Sequence, residues 1–328
     1  MDLIPNSDEQ SVIDAAASFL SATLPANRLH QPEAAGLLPE QRRAIAELGW
    51  FGLTIPEDQG GHGMSVVEEV LVMRELGRRL GPLEVMSQCL AVRVAAHGRD
   101  RAKVEELVNG ESGVLLAPPA VTKGPLRVFG SANSKYVLSF GGNEANLGVV
   151  ASGSVTPIPS LDKSVPMGFL ETGAIHVIGC MPATALVCDA RLMCAAMQVG
   201  LAESVTSMVV EYAKIRETFG RAIGSYQAVR HPCADMHVRA EVARAQLFLA
   251  ALTLRDCRGD ASAQVNAAKV LADEAAVENS HTNIQLHGGI ATTDEHDAHL
   301  FMKRAHVQRL LFGHLNVLKE LLDQPVSA

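Results

Sequence analysis

Two hydrophobic periods alternate along the chain, in the order helical, strand-like, helical. From residue 7 to about residue 110 the apolar positions recur every three to four residues, the period of an amphipathic helix. Val12, Ile13, Ala16, Phe19 and Leu20 share one such face. Ser7-Asp8-Glu9-Gln10 reads as a capping box ahead of it, with Ser7 as N-cap and Gln10 at the third helical position. A second helix is predicted over 39–49, with Ile45 and Leu48 on its apolar side and Gly49 as its stop. Pro56, Gly60, Gly61 and Gly63 then force a non-helical excursion. A third helix runs from Ser65, a serine N-cap with Glu68 three residues on, to Leu80, and ends at Gly81-Pro82. Shorter helices fill 84–97 and 101–109.

Over 113–180 the helical period disappears. Val114–Ala117, Tyr136–Phe140, Leu147–Ala151 and Ile175–Ile178 are short, β-rich runs separated by Pro and Gly, the pattern of a small β-domain. Helical spacing returns in long stretches over 190–215, 225–257, 260–287 and 297–322, punctuated by Gly259 and Gly288-Gly289. Four antiparallel helices of that length make a four-helix bundle. The predicted fold class is therefore mainly α with a small β-domain, divided as 1–112 (N-terminal helical), 113–185 (β) and 186–328 (C-terminal bundle).

Composition narrows the function. Hydrophobic residues make up 48% of 328, enough for a large core, and the 4% aromatic share suits helices packed through small side chains. A net charge of −8 argues against nucleic acid, whose phosphates need clustered Lys and Arg. No run of about 18 uninterrupted apolar residues predicts a membrane span, and no basic segment precedes an apolar run at Met1, so a cytoplasmic location is expected. The six cysteines form no C-x-x-C pair and read as buried small hydrophobes in a reducing compartment. His281, His287, His296, His299, His306 and His314 crowd the last helices. His296 and His299 share an i,i+3 spacing that could hold a metal, but without a carboxylate–His set at ligand spacing no metal is expected.

Three motifs carry the chemistry. Glu47-Leu48-Gly49-Trp50 leads through Ile55-Pro56-Glu57-Asp58-Gln59-Gly60-Gly61-His62-Gly63 to a helix ending in Glu75-Leu76-Gly77-Arg78. Arg216-Glu217-Thr218-Phe219-Gly220 is followed by Gln227, and Gln285-Leu286-His287-Gly288-Gly289 closes a long helix. A guanidinium offers a planar fork of donors to pyrophosphate oxygens, and paired glycines let backbone approach a ligand closely. In wording and order these segments resemble the acyl-CoA dehydrogenase family. The resemblance implies that Arg216, Thr218, Phe219, Gln227, Gln285, Gly288 and Gly289 grip the adenosine diphosphate part of an FAD held by a neighbouring subunit.

The resemblance also fails in specific places. The family's "Tyr-Glu-Gly" base position falls on Leu311-Phe312-Gly313, and its other base position, before an arginine, on Ala190-Arg191. Neither Phe312 nor Ala190 can accept a proton, so no catalytic residue is expected in this chain. Asp189 and Glu211 are the carboxylates a relocated base would use. The family's Thr-Glu-Pro…Gly-Ser-Asp run, which cradles the isoalloxazine and acyl-CoA, is replaced by Ala117-Pro118-Pro119-Ala120-Val121-Thr122-Lys123-Gly124-Pro125, and Ser134-Lys135-Tyr136-Val137 only echoes a family strand. The chain thus resembles the shortened, base-less subunit of bacterial α2β2 acyl-CoA dehydrogenases. Its expected partners are a homologous full-length subunit and an acyl-CoA thioester, a steroid-CoA being one candidate. The alternatives are a self-sufficient dehydrogenase with a relocated base, and a flavin-free scaffold or hydratase-like relative.

Overall fold

The computed structural model describes residues 4–31, 36–119 and 124–322. The chain is mainly helical, and in sequence its strands fall between two helical stretches. It forms two compact units: Met1–His30, Val70–Leu80 and Arg191–Ala328 in the first, Gln31–Glu69 and Gly81–Ala190 in the second.

In the second unit, α2 (Pro39–Glu47), α4 (Glu84–His97) and α5 (Arg101–Val108) accompany a seven-stranded sheet. The strands are β1 (Val114–Ala117), β2 (Leu126–Phe129), β3 (Tyr136–Gly141), β4 (Glu144–Val150), β5 (Val155–Ile158), β6 (Met167–Leu170) and β7 (Ile175–Pro182), in the order β5-β6-β2-β1-β3-β4-β7. Only β1 and β3 pair in parallel, Val114 opposite Tyr136 and Ala117 opposite Ser139. Leu115, Ala117, Val128, Val137, Val150 and Leu170 form its core. β2, β5 and β6 fall outside the sequence reading. Pro157 and Gly168 dilute their strand signal, and cross-strand pairing such as Leu126 with Leu170 holds them instead. Leu48, expected on an apolar face, is the C-cap of α2 and 45% exposed, while Ile45 is buried.

The first unit holds α1 (Ser7–Thr23) and the bundle α6 (Ala183–Ile215), α7 (Gln227–Arg255), α8 (Ala261–His287) and α9 (Ala298–Leu310), α6 entering it at Arg191. The α1 cap lies one residue earlier than the sequence reading. Asn6 Oδ1 accepts from the Asp8 and Glu9 amides, and Glu9 bonds back to the Asn6 amide at 2.8 Å. Asn is at least as good an N-cap as Ser, and the pair Asn6/Glu9 meets the same spacing. The Ser65 cap of α3 (Val66–Arg78) is as read, its amide 2.9 Å from Glu68. The helix expected over 297–322 is broken into α9 and α10 (His314–Leu322) by Phe312 and Gly313, which both take the left-handed conformation.

Leu201, Val205 and Val209 of α6 meet Met236, Ala276, Val277, Phe301 and Ala305 in one buried cluster with Leu80. The second half of α3 crosses α6 at two glycines. A Cβ on Gly77 would stand 1.9 Å from the Met197 carbonyl oxygen, and one on Gly200 would stand 1.9 Å from that of Arg74. Arg74 and Arg78 then share the buried Glu203 carboxylate at 2.8 and 2.7 Å. Deeper in the bundle Lys269 pairs with Asp273, both fully buried, and Gln198 donates to Asp273 at 3.1 Å. Among the described residues α6 alone is long and apolar enough to cross a membrane, and 72% of its apolar window is buried, as expected of a bundle's central helix.

Candidate functional site

The two motif strips lie at the ends of α6 and α8, where the bundle brings them together. Tyr212, one turn before Arg216, stacks on His287 with ring centroids 4.3 Å apart, and His296 closes the other side at 4.6 Å. His287 Nδ1 donates to the Asn283 carbonyl at 2.9 Å, which leaves Nε2 as the unprotonated nitrogen. Burial lowers the His287 pKa, the Asn283 bond opposes the fall and nearby His296 adds to it. The sequence reading misses Tyr212 as a support, because its partner lies far away in sequence.

After Arg216 the chain turns through a tight hairpin, β8 (Glu217–Thr218) and β9 (Arg221–Ala222), with Phe219 and Gly220 as its two-residue loop. Both loop residues have positive φ, 51° and 76°, as the twist of a two-residue hairpin requires. Tyr226 fixes the hairpin from beneath. Its hydroxyl donates to the Thr218 carbonyl at 3.0 Å, and the Arg221 guanidinium lies 4.0 Å from its ring centroid. Phe219 sits 97% exposed at the tip. A phenylalanine in a left-handed conformation is strained, and among the described residues nothing covers its ring. Ile215 and Ile290, 77% and 51% exposed, add apolar surface along the two strips.

Arg216, Thr218, Gln227 and Gln285 are all exposed. Among the described residues no side chain occupies the Arg216 guanidinium, and the Thr218, Gln227 and Gln285 side chains are likewise unpartnered. Gly288 takes φ 71°, and a Cβ at Gly220, Gly288 or Gly289 would meet nothing within 4 Å. Those residues therefore present open backbone and, among the described residues, a guanidinium without a side-chain partner.

Comparison with known proteins identifies the scaffold. Residues 6–113 match the acyl-CoA dehydrogenase N-terminal domain, and residues 183–326 match the acyl-CoA dehydrogenase C-terminal domain. The acyl-CoA dehydrogenase IpdE2 of Mycobacterium tuberculosis is 33% identical over 293 residues, covering 85% of this chain and 84% of its own. The chain belongs to the acyl-CoA dehydrogenase family. Among solved acyl-CoA dehydrogenase-like folds, a chain of the ChsE4-ChsE5 complex from Mycobacterium tuberculosis superposes with a TM-score of 0.85 at 24% identity, covering 99% of this chain and 100% of that one. A chain of the Tcur3481-Tcur3483 steroid ACAD gives 0.83 at 21%, covering 96% and 97%.

Within this acyl-CoA dehydrogenase fold the remaining candidate residues are engaged elsewhere. Phe312 is buried, 4% exposed at φ 58°, and its carbonyl accepts from Arg191 Nε at 3.2 Å. Arg191 also grips both Glu320 carboxylate oxygens at 2.5 and 2.9 Å, so this arginine is tied to α10. Ala190 is fully buried. Asp189 lies 3.1 Å from Arg93, which also holds Glu69 at 2.6 Å. Burial raises the Asp189 pKa, Arg93 opposes the rise and Glu69 adds to it. Glu211 is exposed and paired with Lys214 at 2.6 Å.

Lys135 and Tyr136 converge with Lys103 and Ser112 on Glu106. Desolvation pushes that carboxyl up, but the hydrogen bonds from Lys103, Lys135, Tyr136 and Ser112 outweigh it and hold the pKa at about 2. That cluster ties α5 to β3. Of the Ala117–Pro125 segment, residues 120–123 lie outside the described residues.

The six cysteines form no disulfide. Cys89 and Cys194 are buried as expected, whereas Cys180 and Cys257 are exposed, one on edge strand β7 and one in the turn after α7. Among the described residues no three His, Cys, Asp or Glu converge on a metal position. His296 accepts from the Ala298 amide, and His299 Nδ1 lies 3.2 Å from Lys303 Nζ.

Proposed function

We propose that this chain is the base-less subunit of an FAD-dependent acyl-CoA dehydrogenase. In this reading it completes, from outside, the nucleotide half of a flavin site whose ring pocket and base belong to a homologous full-length subunit in an α2β2 assembly. The single observation that carries the reading is the joined pair of strips, held by the Tyr212–His287 stack at 4.3 Å. Their polar side chains have no hydrogen-bond partner among the described residues, and a Cβ at Gly288 or Gly289 would meet nothing within 4 Å. Arg216 would meet the pyrophosphate, Thr218 and Gln285 would add neutral donors, and Gly288-Gly289 would let backbone approach. The Phe219 phenyl would bury its apolar surface against the partner, which offsets the strain of its conformation.

FAD, when bound, accepts the β-hydride, and the reaction needs a carboxylate for the α-proton. At the two family base positions Phe312 and Ala190 have no lone pair to offer. Residues 1–112, 113–185 and 186–328 then correspond to the family's three structural parts, the middle one reduced. The substrate is an acyl-CoA thioester taken for α,β-desaturation. A steroid-CoA is favoured by the steroid ACAD among its structural neighbours. A self-sufficient enzyme is the weaker reading, because Asp189 and Glu211 are both ion-paired.

The test is Arg216→Ala in the co-expressed complex. The Arg216 side chain has no partner among the described residues, so the isolated variant should keep its stability to within about 0.5 kcal/mol, while the complex loses bound FAD. A variant complex with its full flavin absorbance would contradict the assignment. A wild-type complex without any flavin band would favour the scaffold reading instead.

A further inference from the structure

One pair of side chains is left over by the nucleotide surface. His281 of α8 is exposed and His306 of α9 is half-buried, and their Nε2 atoms stand 3.0 Å apart. The rings are tilted by 36° with centroids at 5.2 Å, and the exposed His281 leaves the pair accessible to solvent. Without a cation, one Nε2 carries the proton and the other accepts it.

From this geometry we infer that His281 and His306 form a two-imidazole site for a borderline divalent transition-metal ion, of the Ni2+, Cu2+ and Zn2+ class. A metal about 2.0–2.1 Å from each nitrogen, with the nitrogens 3.0 Å apart, subtends an angle of about 91–97° at the metal. That is the angle between adjacent ligands in square-planar or octahedral coordination, the preferred geometries of Cu2+ and Ni2+. Zinc needs a wider, tetrahedral angle, and so a small parting of the rings. Binding requires the donating ring to move its proton from Nε2 to Nδ1 and the two rings to turn until their Nε2 lone pairs converge on the ion. Both Nε2 lone pairs are then available, and no net proton leaves.

Among the described residues no third His, Cys, Asp or Glu joins the pair, so water fills the other positions. Arg309 lies close enough to act electrostatically on His306 and repels any cation there. Hard, oxygen-seeking ions such as Mg2+ and Ca2+ have no ligand to offset that repulsion, whereas nitrogen-binding metals do. The ion would clip α8 to α9 one turn before Gln285, at the root of the second strip.

The experiment uses the tag-free full-length chain, stripped with EDTA and then titrated with NiCl2 at pH 7.5. Thermal unfolding should shift upward by about 2–5 °C and continue to rise with the logarithm of nickel concentration. MgCl2 should produce no shift. His281→Gln and His306→Gln should each abolish the nickel response. Cu2+ bound to the wild-type protein should show nitrogen hyperfine splitting from two imidazoles by electron paramagnetic resonance, a readout that does not depend on either variant folding. No nickel-dependent shift in the wild type, an equal shift in both variants, or a copper spectrum without paired nitrogens would each overturn the site.

Discussion

The contact between α3 and α6 gives a sharp prediction for Gly200→Ala. The new methyl carbon would stand 1.9 Å from the Arg74 carbonyl oxygen, against about 3.4 Å for ordinary contact, so the helices must part by the difference, about 1.5 Å. A gap of 0.5–1 Å already forfeits about a quarter to a half of each contact's attraction. The crossing is also fastened by the Arg74–Glu203 and Arg78–Glu203 pairs and by the Ser204 hydroxyl donating to the Arg78 carbonyl at 2.7 Å, all of which would be stretched. Overpacking of this kind costs about 3 kcal/mol or more, and alanine's better helix propensity returns about 1 kcal/mol. The net loss is about 2 kcal/mol or more, a fall in Tm of about 4–8 °C. Gly77→Ala acts on the same crossing, so the double variant should lose clearly less than the sum of the two. Gly259→Ala, where a Cβ meets nothing within 4 Å, is the control and should change little. Circular dichroism melts of the four variants and the wild type suffice. A Gly200→Ala protein melting within 1 °C of wild type would refute the close crossing.

Other predictions test other parts of the account. Lys269→Met strands the buried Asp273 carboxylate and should cost about 3–5 kcal/mol by urea denaturation, whereas adding Asp273→Leu should recover much of that loss. The His287, His299 and His306 pKa values are lowered, in each case chiefly by burial, so the unfolded chain binds more protons than the folded one. Stability contributed by these rings is therefore present above about pH 6.5 and is lost as pH falls below it. Tm should drop from pH 7 toward pH 5.5, and His299→Gln should flatten that slope, while an unchanged slope would contradict the linkage. Asp189→Asn in the active complex should leave kcat for acyl-CoA oxidation within about twofold, since its carboxylate serves Arg93. A loss of orders of magnitude would identify it as the base.

The residues themselves made much of this legible. β1 was predictable because Val114-Leu115-Leu116-Ala117 is a pure apolar run between glycine and proline, and all four residues are buried. The serine cap of α3 was equally plain from Ser65 and Glu68. β2 and β6 were not, because the antiparallel register of Val128 with Gly168 is a tertiary fact that no local period announces. The apolar period also runs on through Leu310, Leu311 and Phe312, so the break after α9 shows in the left-handed conformations of Phe312 and Gly313 rather than in the apolar pattern.

The motif residues could be named from the sequence, but their supports could not. Tyr212 and His287 meet across 75 positions of chain, and Arg93 reaches Asp189 from another helix altogether. Such partnerships depend on which helices the fold places side by side.

Flavin content per chain tests the central claim most directly. Purify this chain alone, and again with its full-length homologue, then measure bound FAD and acyl-CoA oxidation in each. The account predicts a colourless, inactive single chain and a yellow, active complex carrying one FAD per pair of unlike chains. A lone chain that holds one FAD per copy and oxidises an acyl-CoA would contradict it.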